Sequence, residues 1–355
     1  MEPLRIAVVG TGQIGRRHIE MIRRLSGVLK LVAIVDPAPG TEDYALALGV
    51  RRAESLESML SQHRPDGVVI ASPNHLHESQ ALACIDAGIP ALVEKPMAHS
   101  LKAARAIASA AQASGVPILV GHHRRHSAIM AEVASHLASG ALGRLVGVSG
   151  TTLYYKADNE GYYEGAGRWR REPGGGPILI NMIHEVDNLR ALCGEIVSTS
   201  ALSSNAVRDF AVEDTAAMLL RFSNGVLGCF LLSDAAASNR NWEHTSGEDP
   251  RFDPGHSDHD DCYVIAGTMG SLAVPTMRLW RYPDEAHRSW HRPLLQSAHP
   301  FVRHDPLERQ MAHFAEVLRG RVQPLVSAYD GMRNLQVIDA MLESIRSGKT
   351  VDIAD

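Results

Sequence analysis

Apolar residues come first in short unbroken runs and later in alternating ones. In the first third of the chain the runs fall at residues 5–9, 31–35, 67–71, 91–93 and 118–120. Between them, residues 13–25, 56–62, 75–87 and 101–113 carry apolar side chains at helical spacing. Pro and Gly stand at the joints, as in Asp36-Pro37, Pro65-Asp66-Gly67, Gly88, Pro90, Gly115 and Pro117. Unbroken apolar strands alternating with helices predict a parallel sheet covered on both faces. Residues 1–122 therefore read as a doubly wound α/β domain of the Rossmann kind.

Past Gly121 the rhythm changes. A helical stretch at 127–138 ends at Gly140, and β-rich runs follow at 145–155, 196–203, 215–222, 226–232, 262–265 and 271–274. Asn224-Gly225, between two of them, is a hairpin signal. Helical stretches at 178–192, 306–318 and 329–347 complete the pattern. The expectation is an α+β second domain over residues 123–355, built on a large, mostly antiparallel open sheet. Its C-terminal helix is free to pack back on the first domain. The polar, His- and Asp-rich residues 236–261 read as a long loop.

Composition narrows the classes. The chain has 355 residues, 45% hydrophobic and 21% charged, with a net charge of −5. That is ordinary for a globular protein and offers no basic field for nucleic acid or an anionic membrane. Its cysteines, Cys84, Cys193, Cys229 and Cys262, stand far apart without a CxxC pair and read as reduced thiols. With no leader-like amino terminus and no apolar run long enough to cross a bilayer, the expected location is the cytoplasm. The 18 histidines invite a metal reading. None of their clusters, His75-x-His77, His122-His123-x-x-His126 or His256-x-x-His259, has the spacing and partners of a zinc site, so no metal is expected.

One motif carries chemistry by itself. Gly10-Thr11-Gly12-Gln13-Ile14-Gly15 follows a strand and opens a helix. Its glycines allow the turn, let backbone approach a pyrophosphate, and let helix and strand pack closely. Asp36 ends the next strand at about the 20-residue distance at which a carboxylate meets the adenosine ribose. The same carboxylate repels a 2′-phosphate, which favours NAD over NADP. Asn74, in Ser72-Pro73-Asn74-His75-Leu76-His77, suits either a helix N-cap or a ligand. Glu94-Lys95-Pro96 ends an apolar strand at the edge where such sheets bind ligands. Glu94 and Lys95 form either a surface ion pair or an ammonium beside the nicotinamide.

Taken together, these motifs resemble the glucose–fructose oxidoreductase / inositol dehydrogenase / MocA family of NAD(P)-dependent oxidoreductases. Further marks are Gly121-His122, Gly174-Gly175-Gly176 with His184-x-x-Asp187, and Ser344-x-x-x-Gly348. The resemblance implies that Lys95 is the catalytic lysine, preceding a cis peptide at Pro96. It also implies that Ser72, Pro73, Asn74 and His77 line the ribose and nicotinamide end of the cofactor. Homodimers or homotetramers through the C-terminal sheet are a further implication. One position departs from the family. The aspartate usual four residues before the histidine is Ile180 here, with Asn181 next to it.

The chemistry expected is hydride transfer between NAD and a secondary alcohol of a sugar, sugar acid or cyclitol. His184 reads as the base that takes the hydroxyl proton, or as a satisfied structural histidine. Lys95 would hold the reacting oxygen. Asn181 and Asp187, three residues either side of His184, are candidates to hydrogen-bond near it. His122, Tyr155, Arg168 and Trp169 are candidate substrate contacts, against a reading as solvated surface or oligomer contact. Two other functions use the same parts. One is an NAD-dependent glycosidase that oxidises its sugar transiently; the other is a dinucleotide sensor without turnover.

Overall fold

The computed structural model describes residues 2–158, 161–298 and 301–354. They fall into two compact units, Met1–His126 with Pro306–Leu335, and Ser127–Asp305 with Gln336–Asp355.

The first unit runs β1 (Leu4–Val9), α1 (Gln13–Arg24), β2 (Leu29–Val35), α2 (Thr41–Leu48), β3 (Arg51–Ala53), α3 (Leu56–His63), β4 (Gly67–Ile70), α4 (His77–Asp86), β5 (Ala91–Val93), α5 (Leu101–Ser114) and β6 (Ile118–Val120). The six strands are parallel in the order β3-β2-β1-β4-β5-β6. Every residue of β4, β5 and β6 is buried, which is why these strands are continuously apolar. Ile6, Val8, Ile34, Val69, Leu92 and Leu119 form the sheet's share of the core. Ile19 and Ile22 of α1 pack on it, as do Met311 and Phe314 from far along the chain. Two elements here are absent from the sequence reading, α2 and β3. Helix α2 is enclosed by Gly40 and Gly49, both left-handed, and β3 is a three-residue edge strand starting with two arginines. Neither is long or apolar enough to set up a period.

The second unit begins with α6 (Ala128–Ala138) and β7 (Leu145–Leu153). Next come α7 (Ile183–Cys193), β8 (Ile196–Ser204), β9 (Thr215–Phe222), β10 (Leu227–Ser233), α8 (Trp242–Ser246), β11 (Tyr263–Gly267), β12 (Gly270–Val274), β13 (Arg278–Arg281) and β14 (Leu295–Ala298). The chain closes with α9 (Pro306–Leu318) and α10 (Ala328–Ser347), then β15 (Val351–Asp352). Helix α9 belongs to the first unit, where Leu307 joins Met311 and Phe314 in the core.

The nine-stranded sheet has the order β14-β13-β12-β11-β7-β10-β9-β8-β15. All neighbours are antiparallel except β7 and β10. Along β9, Ala216, Met218, Leu220 and Phe222 face inward and Ala217, Leu219 and Arg221 outward. The hairpin at Asn224-Gly225 forms as expected, with Gly225 at φ +86° and the Asn224 side chain accepting the Val226 amide at 3.1 Å. The long loop expected at 236–261 is folded instead. It contains α8, capped by Asn241, and a 3₁₀ turn at Pro250–Gly255. Trp242 within it is buried, 5.9 Å from the ring of Tyr263, so it fills core.

Candidate active site

The glycine loop has the geometry of a phosphate cradle. Gly10 sits at φ +88°, and a Cβ there would meet the Ala71 carbonyl oxygen at 2.6 Å. A Cβ on Gly15 would meet the Gly10 carbonyl at 2.0 Å, so the helix packs on the strand only through glycine. At Gly12 a Cβ would meet nothing within 4 Å. The chain therefore makes no demand for glycine at that point, and the open space is where a group from outside can approach. Helix α1 starts there with no side-chain cap and no acidic residue in its first turn, through Gln13, Ile14 and Gly15. Its leading amides and its dipole are left for an anion.

Asp36 stands over this loop. One carboxylate oxygen accepts the Thr11 amide at 2.6 Å and the Thr11 hydroxyl at 2.8 Å. The other accepts the Ala38 amide at 2.8 Å. Burial pushes its pKa up, but the bonds from Ala38 and Thr11 and the charge of Arg52 outweigh burial and hold it below the usual value. The carboxylate stays ionised with one acceptor position to spare for a ribose hydroxyl. The dinucleotide-binding residues of this unit thus fit the group their motif implies.

Next to it, the turn after β5 is held from two sides. Glu94 is 5% exposed and receives His18 of α1 at 2.7 Å and its neighbour's amide, from Lys95, at 3.1 Å. Burial raises the Glu94 pKa, yet the His18 hydrogen bond and charge, with Lys95 and His123, hold it below the ordinary value. The alternative of a surface Glu94–Lys95 pair is thereby excluded, because Glu94 lies inside. The Lys95-Pro96 peptide is cis. His77 is buried, with Nε2 2.8 Å from the Ser72 carbonyl and Nδ1 3.0 Å from the Pro96 carbonyl. Both ring nitrogens lie against backbone carbonyls, to one of which the neutral ring donates, so His77 sits between the end of β4 and the lysine turn rather than facing a ligand. The Ser72 hydroxyl is likewise engaged, donating to Gln80 at 2.5 Å. Asn74 is different. It caps nothing, it follows Pro73 at the start of a 3₁₀ turn, and its amide nitrogen is buried with no partner among the described residues. Such a donor is costly unless a ligand accepts from it.

His122 is 1% exposed, with Nε2 3.2 Å from the Asn334 amide nitrogen. It belongs to the interior of this unit.

In the second unit, His184 lies one residue into α7, 5% exposed. The helix is preceded by a π turn at Ile178–Met182, a wider turn that adds one residue to the α spacing and is frequent at functional sites. Helix α7 is buried although polar: Glu185, Asp187, Asn188 and Arg190 are all inside. Glu185 accepts from Thr152 at 2.8 Å and from Tyr263, and Arg190 pairs with Glu195 at 2.7 Å. These bonds from Glu185 and Arg190 fix the helix that carries the His184 imidazole.

Residues 4–122 match the oxidoreductase family described as an NAD-binding Rossmann fold, and residues 130–273 match the GFO/IDH/MocA C-terminal domain. The chain belongs to the GFO/IDH/MocA oxidoreductase family. The scyllo-inositol 2-dehydrogenase (NAD(+)) of Bacillus subtilis is 26% identical over 358 aligned positions, covering 99% of this chain and 96% of that protein. The 1,5-anhydro-D-fructose reductase of Ensifer adhaerens is 26% identical over 354, covering 98% of each. The crystal structure of the WlbA dehydrogenase from Bordetella pertussis in complex with NADH and UDP-GlcNAcA superimposes with a TM-score of 0.78 at 24% identity, covering 99% of each chain.

Ile180 stands where the family resemblance leads one to expect an aspartate. The isoleucine lies in the π turn, and beside it Asn181 accepts a hydrogen bond from the Lys156 ammonium at 2.9 Å. The same ammonium donates to the Tyr162 hydroxyl at 2.9 Å. Asn181 thus points to a lysine that sequence spacing does not single out. Lys156 lies three residues past the end of β7 and 25 before Asn181, and only the folded chain brings the two together. The remaining candidates are more exposed. Tyr155 is 56% exposed, with the Arg208 guanidinium 5.3 Å from its ring. Arg168 is a surface residue paired with Glu172 at 3.3 Å. Trp169 is partly exposed and carries the Arg170 guanidinium 5.1 Å from its ring. Among the described residues, no group of three or more His, Cys, Asp or Glu side chains could hold a metal ion, and no helix is long and apolar enough to cross a membrane.

Proposed function

We propose that this protein oxidises a secondary alcohol of a sugar, sugar acid or cyclitol, with NAD as cofactor. When bound, NAD supplies the acceptor for the hydride that leaves the carbinol carbon. Gly10, Gly12 and Gly15, with the amides of Gln13 and Ile14, hold the pyrophosphate. Asp36 takes the adenosine ribose hydroxyls, and Pro73 and Asn74 lie against the ribose and nicotinamide end. The Lys95 ammonium holds the reacting oxygen and stabilises alkoxide character. The His184 imidazole removes the hydroxyl proton.

The observation that carries this reading is the Lys95 turn. Two buried histidines, His18 and His77, and one buried carboxylate, Glu94, are spent on fixing one lysine at the strand end beside the glycine loop. Lys95→Ala is expected to abolish NADH formation from a polyol panel while NAD still raises the melting temperature. In wild type, activity rises with pH as the imidazole loses its proton, and His184→Asn flattens that rise. Retained turnover in Lys95→Ala, or an unchanged pH profile in His184→Asn, overturns the respective role. Reading NADH and released aglycone in one assay separates this dehydrogenase from a glycosidase, which releases aglycone without net NADH.

The second unit's sheet also favours a homo-oligomer. Its outward face presents Leu202, Leu219, Leu227, Leu231 and Val264, all exposed, in neighbouring strands. An apolar face of this kind fits a second copy of the chain. Leu219→Arg is expected to yield monomers by light scattering, and a wild type that is already monomeric excludes the assembly. Free thiols at all four cysteines fit a reducing compartment such as the cytoplasm.

A further inference from the structure

The ring of Tyr162 carries two cations. The Lys156 ammonium lies 4.2 Å from its centroid and the Arg170 guanidinium 4.4 Å from it. Lys156 gives two of its three N–H bonds to neutral acceptors, the Tyr162 hydroxyl and the Asn181 amide oxygen, and its third has no acceptor among the described residues. Arg170 gives one of its five to the Tyr162 carbonyl at 2.9 Å and rests on the rings of Tyr162 and Trp169. Neither cation has a carboxylate at ion-pair distance among the described residues. Two of the nearby acids are committed elsewhere, and the third, Glu243, acts on Lys156 from beyond ion-pair distance. Asp234 accepts from Arg208 at 3.1 Å and from Tyr163, and Glu213 accepts the Ile178 amide at 2.8 Å.

Two partly buried cations without an anion are unfavourable by themselves. Burial pushes the Lys156 pKa down to about 8, and Arg170 and Arg208 push the same way against Asp234 and Glu243. Tyr162 is pushed up to about 12 by burial and stays a neutral hydroxyl. No carboxylate of the described residues is ion-paired with either cation, which leaves a place for a negative charge from outside the chain. Asn181 stands three residues before His184 in the chain, and on the oxidoreductase reading the anion held by Lys156 is assigned to the substrate that His184 serves.

We infer that Lys156 and Arg170 form an anion subsite for the carboxylate or phosphate of an acidic carbohydrate, making the substrate a sugar acid or sugar phosphate rather than a neutral ring. The inference rests on the oxidoreductase reading above and deepens it. One free ammonium N–H and the remaining guanidinium N–H groups provide charge-assisted bonds that a neutral hydroxyl cannot match. Such bonds give a preference of roughly 10- to 100-fold for the anion.

The test is calorimetric titration of the NADH-loaded protein with D-glucuronate, D-glucose 6-phosphate, D-glucuronamide and D-glucose at pH 7 and pH 9.5. At pH 7 at least one anion is expected to bind tenfold or more tightly than its neutral counterpart, and the tighter of the two identifies the group as carboxylate or phosphate. At pH 9.5 the preference shrinks, because the Lys156 ammonium is lost as pH rises through about 8. Lys156→Met and Arg170→Met lose the preference with NADH affinity unchanged, and Lys156→Arg keeps it, which guards against a folding defect. Equal binding of charged and neutral ligands, failure of both anions to bind, or a preference that survives Lys156→Met overturns the subsite. Turnover of the same four compounds is read in parallel with NAD. An anion preference without NADH formation overturns the oxidoreductase reading and leaves the subsite standing. Turnover of neutral and charged rings alike does the reverse.

Discussion

The candidate sites of the two units are built from different materials. In the first unit, backbone does most of the work: a left-handed glycine, a helix start without a cap, and carbonyls at Ser72 and Pro96 that grip His77. In the second unit the work is done by side chains from separate turns and loops, with Lys156, Tyr162 and Asn181 meeting only in the folded chain. A dinucleotide is a constant ligand and is recognised by a backbone shape that few sequences can make. A substrate ring is recognised by side-chain pattern, so one scaffold accepts many patterns. The contrast predicts that damage in the first unit weakens fold and cofactor binding together, whereas damage around Tyr162 alters selectivity alone.

The largest effect is expected inside the first unit. His18→Leu strips the buried Glu94 carboxylate of its hydrogen-bond partner and should cost about 1–3 kcal/mol in urea unfolding at pH 7. In wild type the Glu94 pKa is held below 4.5. Its contribution is therefore present above pH 4.5 and lost as pH falls through the folded-state value. In the variant, burial without His18 raises that pKa, so the deficit against wild type is largest at neutral pH and shrinks as pH falls and Glu94 takes up a proton. A variant as stable as wild type at both pH 7 and pH 5 would show that the pair holds nothing together.

An intermediate effect is expected at Asp36, where the cofactor is sorted. NAD should raise the melting temperature more than NADP does, and Asp36→Ala should weaken NAD roughly 10- to 100-fold while narrowing the gap. Equal shifts from the two dinucleotides in wild type would remove the ribose assignment. The smallest effect belongs to Arg168, whose side chain is 72% exposed in a pair with Glu172. Arg168→Ala should change stability by no more than about 0.5 kcal/mol and leave sugar selectivity untouched. A selectivity change as large as that of Arg170→Met would place the substrate on Arg168 instead.

How far the sequence could be read follows the same division. The glycine loop, Asp36 and the lysine turn lie within short segments whose meaning is local, and their strands and helices fall within a few residues of where periodicity places them. Helix α2 and strands β3, β13, β14 and β15 escaped, being short or exposed edge elements without an apolar run. His77 shows the limit within a motif. Its type and position are legible, but that both nitrogens lie against carbonyls depends on a turn nineteen residues away. The π turn at Ile178–Met182 is a second case. Helical spacing assumes α geometry, and the extra residue sends Asn181 to Lys156.

Chain order alone determined the parallel sheet, the dinucleotide loop with its acidic companion, and the family, because each depends on backbone conformations that glycine, proline and apolar runs impose locally. Tertiary structure decided which polar side chains lost their water and which found partners. Burial and pairing are properties of neighbours distant in sequence, and so the charge left unanswered beside Tyr162 became visible only once strand and turn had been brought together.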